Sequence, residues 1–543
     1  MQRRVIQAVG VLLVTTALVL TQGAIHKLRG DPDQFTPYVD ESSHFVTGLM
    51  IHDYVTGGFP GSPIRFAKEY YLHYPKVSFG AWPPLLHILL GGWMLLFTAT
   101  RHSGILYMDT LTALLVLLSI WLAHRRLPWV ISAGVGVAVW LSPVVQRLDQ
   151  SVQADLQYAL FSVLCVCLFA VYLGRPGTLR ACGFGLALLA AVMTKNNALF
   201  LAISLPLVLV LTRSFGILRR WDAWLATAPA LVSVAVWQYL TLPFVRDNMK
   251  GVTAESTPGL ALFTYLGQLA TLAWVGLLPF ALWGLYRRLW IPLRKGKVER
   301  WEAGFLSLVA GPVLFHCLLP HDVNQRYLLP SLPAILIFAA DGFLDLLSLV
   351  PFRRIPGSVK AAAAAVVIAA PSIATPVPRA WSSQLAPLAV RLCAEYPPDR
   401  YPSILIESSF GMEANLVAEM AVRERRPGHW LLRGSKILRR KTGPRNRDSS
   451  LVNIDPADML RYLKSLPLSL LIVSDETGEE APDRAYVARM MQSEPGLFTP
   501  VLTLPFGAGC QGCSIRVFRL ATPPGASFAP AKLPPDMPLW KGL

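Results

Sequence analysis

The segment TPYVDESSHFVTG, from Thr36 to Gly48, places an acidic pair, Asp40 and Glu41, and then His44 soon after the apolar run 5–25. A signal peptide can also end in small residues, as this run does, but its apolar core usually has only 7–15 residues. The run here is about 20 residues long, which is enough to cross a bilayer. We therefore predict a retained first transmembrane helix with charged side chains just outside it.

The composition of the whole chain indicates a membrane protein. Of its 543 residues, 53% are hydrophobic and 15% are charged, whereas soluble domains carry about 25% charged residues. The mean hydropathy is +0.44. The net charge of +17 fits Lys and Arg in cytoplasmic loops, where membrane proteins collect them. We therefore expect no nucleic-acid partner.

Hydropathy predicts a polytopic helical protein with about 11–13 spans. The predicted spans are 5–25, 84–100, 105–123, 128–146, 152–173, 178–194, 197–212, 222–243, 259–286, 302–319, 327–348 and 358–377. They form a predicted membrane domain, 1–378, whose first outer loop is 26–83. Internal Pro and Gly are compatible with such helices, because neighbouring groups satisfy the freed backbone atoms.

A small α/β domain is predicted from 379 to 543. Strand-like runs SILIES, LSLLIVS and SIRVFRL surround a helical PADMLRYLKSL, and apolar runs of this length, rich in branched residues, favour strands. The tail ATPPGASFAPAKLPPDMPLW is Pro-rich, which predicts irregular structure.

Basic loops predict the orientation of the chain. The loops 174–180, 213–220, 288–300 and 352–354 carry Arg and Lys and are therefore expected in the cytoplasm. Alternation then places the C-terminal domain on the extracytoplasmic face of the inner membrane. The cluster HRR at 124–126 is expected in the cytoplasm, and so are Arg3 and Arg4. With both inside, segment 84–100 is one crossing too many. Either segment 84–100 is re-entrant or short, or one basic cluster misleads.

With this orientation, ionisable residues collect at the outer ends of the helices. Such residues near the bilayer are costly and tend to mark function. An outer-loop acid is more often simply solvated, Lys195 and Arg326 could snorkel, and His321 could cap a helix. The outer set is Asp40, Glu41, His44, Lys68, Glu69, His73, Lys76, Arg147, Asp149, Asp155, Lys195, Arg246, Asp247, Lys250, His321, Asp322, Arg326 and Tyr327.

Carboxylates and cations suggest two halves of one chemistry. A carboxylate can deprotonate a hydroxyl, and Lys and Arg can hold a phosphate, Arg in a bidentate manner. Both together at a membrane surface point to a lipid-phosphate substrate.

Several motifs over residues 1–350 resemble the GT-C superfamily of membrane glycosyltransferases, above all protein O-mannosyltransferases and lipid A aminoarabinose transferases. The Asp–Glu pair followed by His44 is similar to their first acidic motif. Further likenesses are YPKVSFGAWPPLLHILL (74–90), SVQADLQYALF (151–161), AAVMTKNNALF (190–200) and QRYLLPSLPAILI (325–337). Each motif alone is weak, but five in the family's order are fairly specific.

The resemblance implies an inverting transferase that uses a polyprenyl-phosphate-linked sugar on the outer face. By matching position, Asp40 would be the general base on the acceptor hydroxyl and Glu41 would help to place a substrate. Asp155 would be the second carboxylate, and Lys195 and Arg326 would contact the carrier phosphate, whose leaving-group charge they would stabilise.

We also assign His44, His321 and Tyr327 to substrate binding. The expected partners are the polyprenyl-phosphate sugar donor, membrane lipids, and a lipid, glycan or protein acceptor. No cofactor is certain. The aminoarabinose transferases have an acidic residue and a Lys before their double Pro, where this chain has GAW (80–82), which puts a metal like theirs in doubt. His73 and Glu69 remain an alternative ligand pair for a divalent metal.

The cysteines are expected to be structural. Four of them, Cys165, Cys167, Cys182 and Cys317, fall in predicted spans and are expected to pack as small apolar residues. Cys510 and Cys513 form a C-x-x-C motif without a thioredoxin-like context, and we favour a local disulfide in an oxidising compartment.

Two other functions compete with the glycosyltransferase. A transporter or flippase of a lipid-linked substrate should show charges near mid-membrane and a repeated half. The charges here cluster at helix ends, and we find no internal repeat. The second competitor, a catalytically dead relative serving as a scaffold, is opposed only mildly by the presence of Asp40 and Arg326.

Overall fold

A computed structural model gives the fold. It describes residues 2–29, 33–36, 38–78, 80–249, 258–296, 298–319, 324–349, 356–376, 385–441, 449–451, 455–465, 468–475, 484–506 and 513–521. His321, Cys510 and the Pro-rich tail after Ala521 lie outside these ranges. The predicted boundary between 1–378 and 379–543 also falls outside them.

Most of the chain is helical, as predicted. The α-helices are α1 (Gln2–Arg29), α2 (Val39–Thr56), α3 (Pro63–His73), α4 (Leu85–Leu96), α5 (Arg101–His124), α6 (Trp129–Trp140), α7 (Pro143–Asp149), α8 (Ala154–Gly174), α9 (Thr178–Val192), α10 (Leu201–Thr212), α11 (Trp221–Met249), α12 (Pro258–Leu272), α13 (Leu278–Leu285), α14 (Ile291–Arg294), α15 (Arg300–Leu318), α16 (Leu332–Leu349), α17 (Gly357–Ala374), α18 (Leu385–Glu395), α19 (Phe410–Arg423), α20 (Gly434–Ile437), α21 (Pro456–Ser465) and α22 (Arg484–Gln492). Five 3-10 helices span Asn196–Phe200, Phe215–Arg219, Val275–Leu277, Gln325–Ser331 and Pro495–Leu497, and a π-helix spans Tyr286–Trp290.

Within the described residues, seven helices are long and apolar enough to cross a membrane, or up to nine if two bent pairs each count as one span. Three shorter apolar helices accompany them: Leu85–Leu96, Thr178–Val192 and Asn196–Thr212. The chain is a polytopic membrane protein. The prediction of 11–13 spans is higher because it counted these short helices as spans. Hydropathy detects an apolar segment but does not measure how long its helix remains straight.

Two predicted spans are bent rather than continuous. The segment predicted at 128–146 breaks by 55° between α6 and α7. There Ser142 precedes Pro143, and the proline ring disfavours a helical conformation for the residue before it. The segment predicted at 259–286 bends by 89° after α12, where Trp274 has a left-handed φ of 55°.

Helix α4 is the segment whose crossing the sequence left open. Its twelve residues extend about 18 Å, well short of a bilayer core of about 30 Å, so it is short, as one alternative proposed. It packs closely on α2 because glycines meet at the crossing. A Cβ on Gly91 would lie 2.9 Å from the carbonyl oxygen of Gly48. This close contact fixes α2 against the bundle.

The C-terminal part is an α/β unit around a five-stranded sheet. Its strands are β1 (Ser403–Glu407), β2 (Trp430–Arg433), β5 (Leu470–Ser474), β6 (Phe498–Phe506) and β7 (Cys513–Leu520), in the order β2-β1-β5-β7-β6. The β1 strand runs parallel to β2 and β5, and β7 runs antiparallel to β5 and β6. Two short strands, β3 (Arg439–Lys441) and β4 (Ser449–Leu451), form a separate antiparallel pair.

Helix α19 joins this α/β unit to the membrane domain by packing on α2. Asn415 accepts a hydrogen bond from the Ser42 hydroxyl at 2.5 Å and donates one to the carbonyl oxygen of Thr36 at 2.8 Å. At the far end of α2, Arg426 holds both carboxylate oxygens of Asp53, at 2.5 and 3.0 Å. The α/β unit therefore lies along the whole of α2, including the turn that carries Asp40.

The cysteines largely follow the prediction. Cys165 and Cys167 are buried and free, whereas Cys182 is free but exposed on α9, which corrects its expected packing. Cys513 is disulfide-bonded, and Cys510 lies outside the described residues.

Candidate active site

Four ionisable side chains predicted from separate motifs meet where four helices begin. Asp40 lies in the first turn of α2 and Asp155 in the first turn of α8. Lys195 directly precedes the 3-10 helix Asn196–Phe200, and Arg326 is the second residue of the 3-10 helix Gln325–Ser331. Acidic residues are favoured in first turns by the helix dipole. The helix starts therefore hold both signs of charge in one place.

Arg326 connects the two carboxylates. Its Nη2 lies 3.3 Å from Oδ2 of Asp40, and its Nη1 lies 3.8 Å from Oδ2 of Asp155. Nη1 also donates to Oε1 of Gln153 at 2.8 Å. The third nitrogen, Nε, is buried without a hydrogen-bond partner among the described residues. One guanidinium thus contacts Asp40, Asp155 and Gln153 together.

Lys195 completes the set. Its Nζ donates to Oδ1 of Asp155 at 2.6 Å. The ring of Tyr327 packs beside both cations, with its centroid 5.0 Å from Nζ of Lys195 and 5.4 Å from Cζ of Arg326. Cations over an aromatic face are attracted by its quadrupole, so Tyr327 stabilises the two positive charges side by side.

The two carboxylates differ in exposure. The side chain of Asp40 is 38% exposed, whereas that of Asp155 is 2% exposed. Asp155 is therefore buried against the cations, whereas Asp40 is the carboxylate of the pair that remains open to the outside.

Glu41 has a different environment from its neighbour. It is fully buried, and its Oε1 accepts from Nη2 and Nε of Arg101, at 2.7 and 2.9 Å. Its Oε2 accepts from the backbone N–H of Thr36 at 2.8 Å and from the Thr36 hydroxyl. Every oxygen of Glu41 is occupied by protein donors, so the geometry gives it a structural position rather than one open to substrate.

His44 lies one turn after Asp40 and is buried. Its Nδ1 lies 2.9 Å from Nε2 of His87 and its ring packs on Trp82. Burial lowers the pKa of His44 well below its ordinary value, and His87 and then Lys195 act in the same direction. His44 is therefore neutral and supports the wall of the site.

Sequence reasoning placed Lys76 in the outer loop but not in the site. Lys76 is 6% exposed, and burial followed by the charge of Arg433 lowers its pKa well below the ordinary value, while Asp40 acts in the opposite direction. Lys76 is thus an electrostatic neighbour of Asp40. The sequence alone did not place Lys76 near the site, because Arg433, whose charge acts on it, is more than 350 residues away along the chain.

The residues around Asp40 do not fit a resident divalent metal. Asp40 and Asp155 are both paired with cations. Among the described residues, the group of three side chains that could hold a metal ion is His26, Asp109 and Asp149. These three are buried, and their ligand atoms lie within 4.8 Å of one another. That grouping contains neither site carboxylate.

The alternative metal ligands His73 and Glu69 lie one turn apart on α3, but the interactions recorded for their side chains are with other groups. Nδ1 of His73 lies 2.9 Å from the carbonyl oxygen of Gly428, and its ring packs on Trp430. Glu69 is exposed beside Arg65.

No protein-family model and no curated protein matches this sequence. Solved structures do. ArnT from Cupriavidus metallidurans in the apo state superposes with a TM-score of 0.56 and 15% identity, covering 94% of this chain and 98% of that one. The chain has the GT-C fold.

Two further structures share the GT-C fold. The Archaeoglobus fulgidus oligosaccharyltransferase in the apo form has a TM-score of 0.50 and 12% identity, covering 92% of this chain and 74% of that one. The arabinofuranosyltransferase AftD from Mycobacteria also has a TM-score of 0.50, with 14% identity, and this chain spans 41% of its length. The predicted fold class is therefore confirmed.

Proposed function

We propose that this protein is an integral-membrane glycosyltransferase that moves a sugar from a polyprenyl-phosphate donor to an acceptor hydroxyl. The observation that carries the proposal is the bridge from Asp40 through Arg326 to Asp155 and Lys195, which joins a half-exposed carboxylate to two cations. The oligosaccharyltransferase and the arabinofuranosyltransferase that share its fold act on sugars by name, which supports the same reaction class.

The first step uses Asp40 as general base. Its exposed carboxylate accepts the proton of the acceptor hydroxyl as the hydroxyl oxygen attacks the anomeric carbon, and such proton transfer contributes typically about 10²–10⁴-fold to a rate. The new bond forms on the face opposite the leaving group, so the configuration inverts.

The bond from the anomeric carbon to the phosphate oxygen breaks in the same step. Its electron pair leaves with the carrier phosphate, and Arg326 and Lys195 stabilise the charge that develops there. Preorganised donors of this kind are usually the largest single contribution to catalysis.

Donor binding would also activate the base. In the free protein, Nη2 of Arg326 is held by Asp40. A phosphate that takes this guanidinium weakens the pairing and frees Asp40 to accept a proton. Glu41 and His44 then act as positioning residues that hold the first turn of α2.

The reaction would take place on the extracytoplasmic face of the inner membrane. The basic loops predict that the four helix starts and the C-terminal α/β unit lie on that side. Because α19 packs along α2, the α/β unit is placed to contribute to the acceptor side. The expected acceptor is still a lipid, a glycan or a protein.

A donor screen tests this function. Purified full-length protein in detergent is incubated with a panel of radiolabelled polyprenyl-phosphate sugars, and release of carrier phosphate is measured with and without membrane-derived lipid, glycan and protein fractions as acceptor sources. We expect release from one donor. Asp40→Asn should release far less than wild type. Its matched control, Asp399→Asn, changes an exposed aspartate in the turn before β1 and should behave as wild type. Tight donor binding without release from any donor would contradict the enzyme and favour the transporter or flippase.

A further inference from the structure

Helix α1 is attached to the rest of the protein through polar side chains. Among the side chains of α1 that the structure describes, the buried ones are Gln22 and His26, whereas Leu12 and Leu20 are 65% and 69% exposed. Gln22 and His26 are four residues apart and therefore lie on one face of the helix. This face meets α5 and α7, where Gln22 donates to Oε1 of Gln146 at 3.2 Å.

His26 lies between two buried carboxylates that come from different helices. Its Nε2 is 2.9 Å from Oδ1 of Asp109 on α5 and 3.5 Å from Oδ2 of Asp149, the last residue of α7. All three side chains are buried. Nitrogen and oxygen ligands bind zinc at roughly 2.0–2.2 Å, which places them about 3.3 Å apart in a tetrahedral site. The observed separations lie on either side of that value, so the three atoms are spaced as ligands of one ion.

Asp149 has a buried oxygen that points into this group. Its Oδ1 accepts from the Thr112 hydroxyl at 2.8 Å. Its Oδ2 is buried without a hydrogen-bond partner in the described part of the chain, and the 3.5 Å between it and His26 exceeds an ordinary hydrogen bond. Because buried charges are normally paired at close range or bound to a metal, this oxygen indicates a missing ligand.

The charges and the donor types favour a transition-metal ion. A protonated His26 would neutralise one of the two carboxylates, whereas a divalent ion bound to neutral His26 would neutralise both. The charge of Arg29 also acts on Asp149, but its guanidinium is half-buried and donates to Oε1 of Gln146 at 2.5 Å. Imidazole together with carboxylate suits zinc, whereas magnesium prefers oxygen ligands alone.

The segment that follows Asp149 leads to the candidate active site. The carbonyl oxygen of Gln150 accepts from Nη2 of Arg101 at 2.8 Å, and the side chain of Gln153 accepts from Arg326 at 2.8 Å. An ion that fixed Asp149 against α1 and α5 would therefore also fix the start of this segment.

We propose that His26, Asp109 and Asp149 form a binding site for a divalent transition-metal ion, with zinc as its best match, and that the ion clamps α1 to α5 and α7. The role is structural, and the site contains none of the charged residues that contact Arg326. The inference goes beyond the proposed function and does not depend on it.

Zinc is the probe for the test. Full-length protein without a polyhistidine tag is purified in detergent, stripped with a chelator and dialysed against zinc chloride, and bound metal and thermal unfolding are measured. We expect wild type to retain one zinc ion per chain and to melt at a higher temperature, because an ion that binds only the folded state stabilises it. Magnesium at the same concentration should do neither, and equal binding of magnesium would contradict a site with an imidazole ligand.

Asp109→Asn and Asp149→Asn locate the ion. Loss of an outer-shell partner of a metal ligand typically costs about 10–100-fold in affinity, so loss of a ligand should weaken zinc binding at least about tenfold. His102→Gln changes an exposed histidine near the start of the same helix as Asp109; it is the matched control and should bind zinc as wild type does.

An absence of bound zinc in wild type, or unchanged affinity in the two aspartate variants, would overturn the site. If either aspartate variant fails to fold, His26→Gln replaces it, with the same expected loss, because that change lies near the end of a helix that is largely exposed. Zinc binding is measured without a sugar donor. A failed donor screen and a failed metal site are therefore separate results.

Discussion

Asp40 and Glu41 are neighbours in the chain and belong to two different charge networks. Asp40 is 38% exposed and shares Arg326 with Asp155. Glu41 is fully buried and saturated by Arg101 and Thr36. Successive residues on a helix point about 100° apart, so one turn of α2 presents one carboxylate to the site and the other to the core.

The two networks differ in how completely the charge of each carboxylate is satisfied. In the Glu41 network each carboxylate oxygen has its donors, which is typical of a buried structural ion pair. In the Asp40 network the carboxylate is partly open, and among the described residues Nε of Arg326 has no hydrogen-bond partner. Incomplete satisfaction of charges, rather than their number, distinguishes the candidate reaction site.

The largest effect should follow from Asp40→Asn. The amide cannot accept the acceptor proton, and we expect carrier-phosphate release to fall by about 10³-fold, while the melting temperature stays close to wild type because the side chain is partly exposed. Single-turnover release and thermal unfolding are the measurements. Full activity in a folded variant would remove Asp40 as the base.

Arg326→Gln should produce the next largest loss. It removes the donor expected to stabilise the leaving phosphate, and one such donor is worth about 10²- to 10³-fold. Arg65→Gln, at an exposed position of α3, is the control for loss of a positive charge. A variant that loses activity only through weaker donor binding, with unchanged single-turnover rate at saturation, would contradict a role in the reaction step.

Glu41→Gln should instead reduce stability. One amide nitrogen would face the donors of Arg101 or Thr36, and leaving such buried groups unpaired costs about 2 kcal/mol. We expect a lower melting temperature and a release rate per folded molecule within about threefold of wild type, whereas Glu69→Gln, at an exposed site, should change neither. Lost activity at an unchanged melting temperature would place Glu41 in the chemistry.

Much of the fold was predictable because local patterns of apolar residues indicate helices and strands. Apolar runs gave the helices, and SILIES, PADMLRYLKSL, LSLLIVS and SIRVFRL became β1, α21, β5 and β7. Strand β6 was not predicted. It lies at the edge of the sheet and contains Pro500 and Pro505. An edge strand accommodates proline, but in a sequence a proline argues against a strand.

The site was predictable in part. Asp40, Asp155, Lys195 and Arg326 were expected together from their common side of the membrane, and the structure brings them together. The burial of Glu41 was not foreseen, since its partner Arg101 comes from another helix.

The smallest predicted effect concerns Glu419, which lies where the α/β unit contacts the membrane domain. Burial raises the pKa of Glu419 to about 7, against the opposing charge of Arg423. The folded protein therefore binds more protons than the unfolded one between pH 4.5 and 7, so stability falls as pH rises through this window. Glu419→Gln should flatten this dependence in melting curves between pH 5 and 8. An unchanged slope would contradict the assignment.

Binding of undecaprenyl phosphate to wild type and to Asp40→Asn tests the central claim most directly. If Asp40 holds Arg326 beside the carrier-phosphate site, removing its charge should free that guanidinium and lower the repulsion of the phosphate. We predict several-fold tighter binding by Asp40→Asn, in a variant that no longer turns over. Weaker or unchanged binding would show that Asp40 does not share Arg326 with the carrier, and would contradict the proposed site.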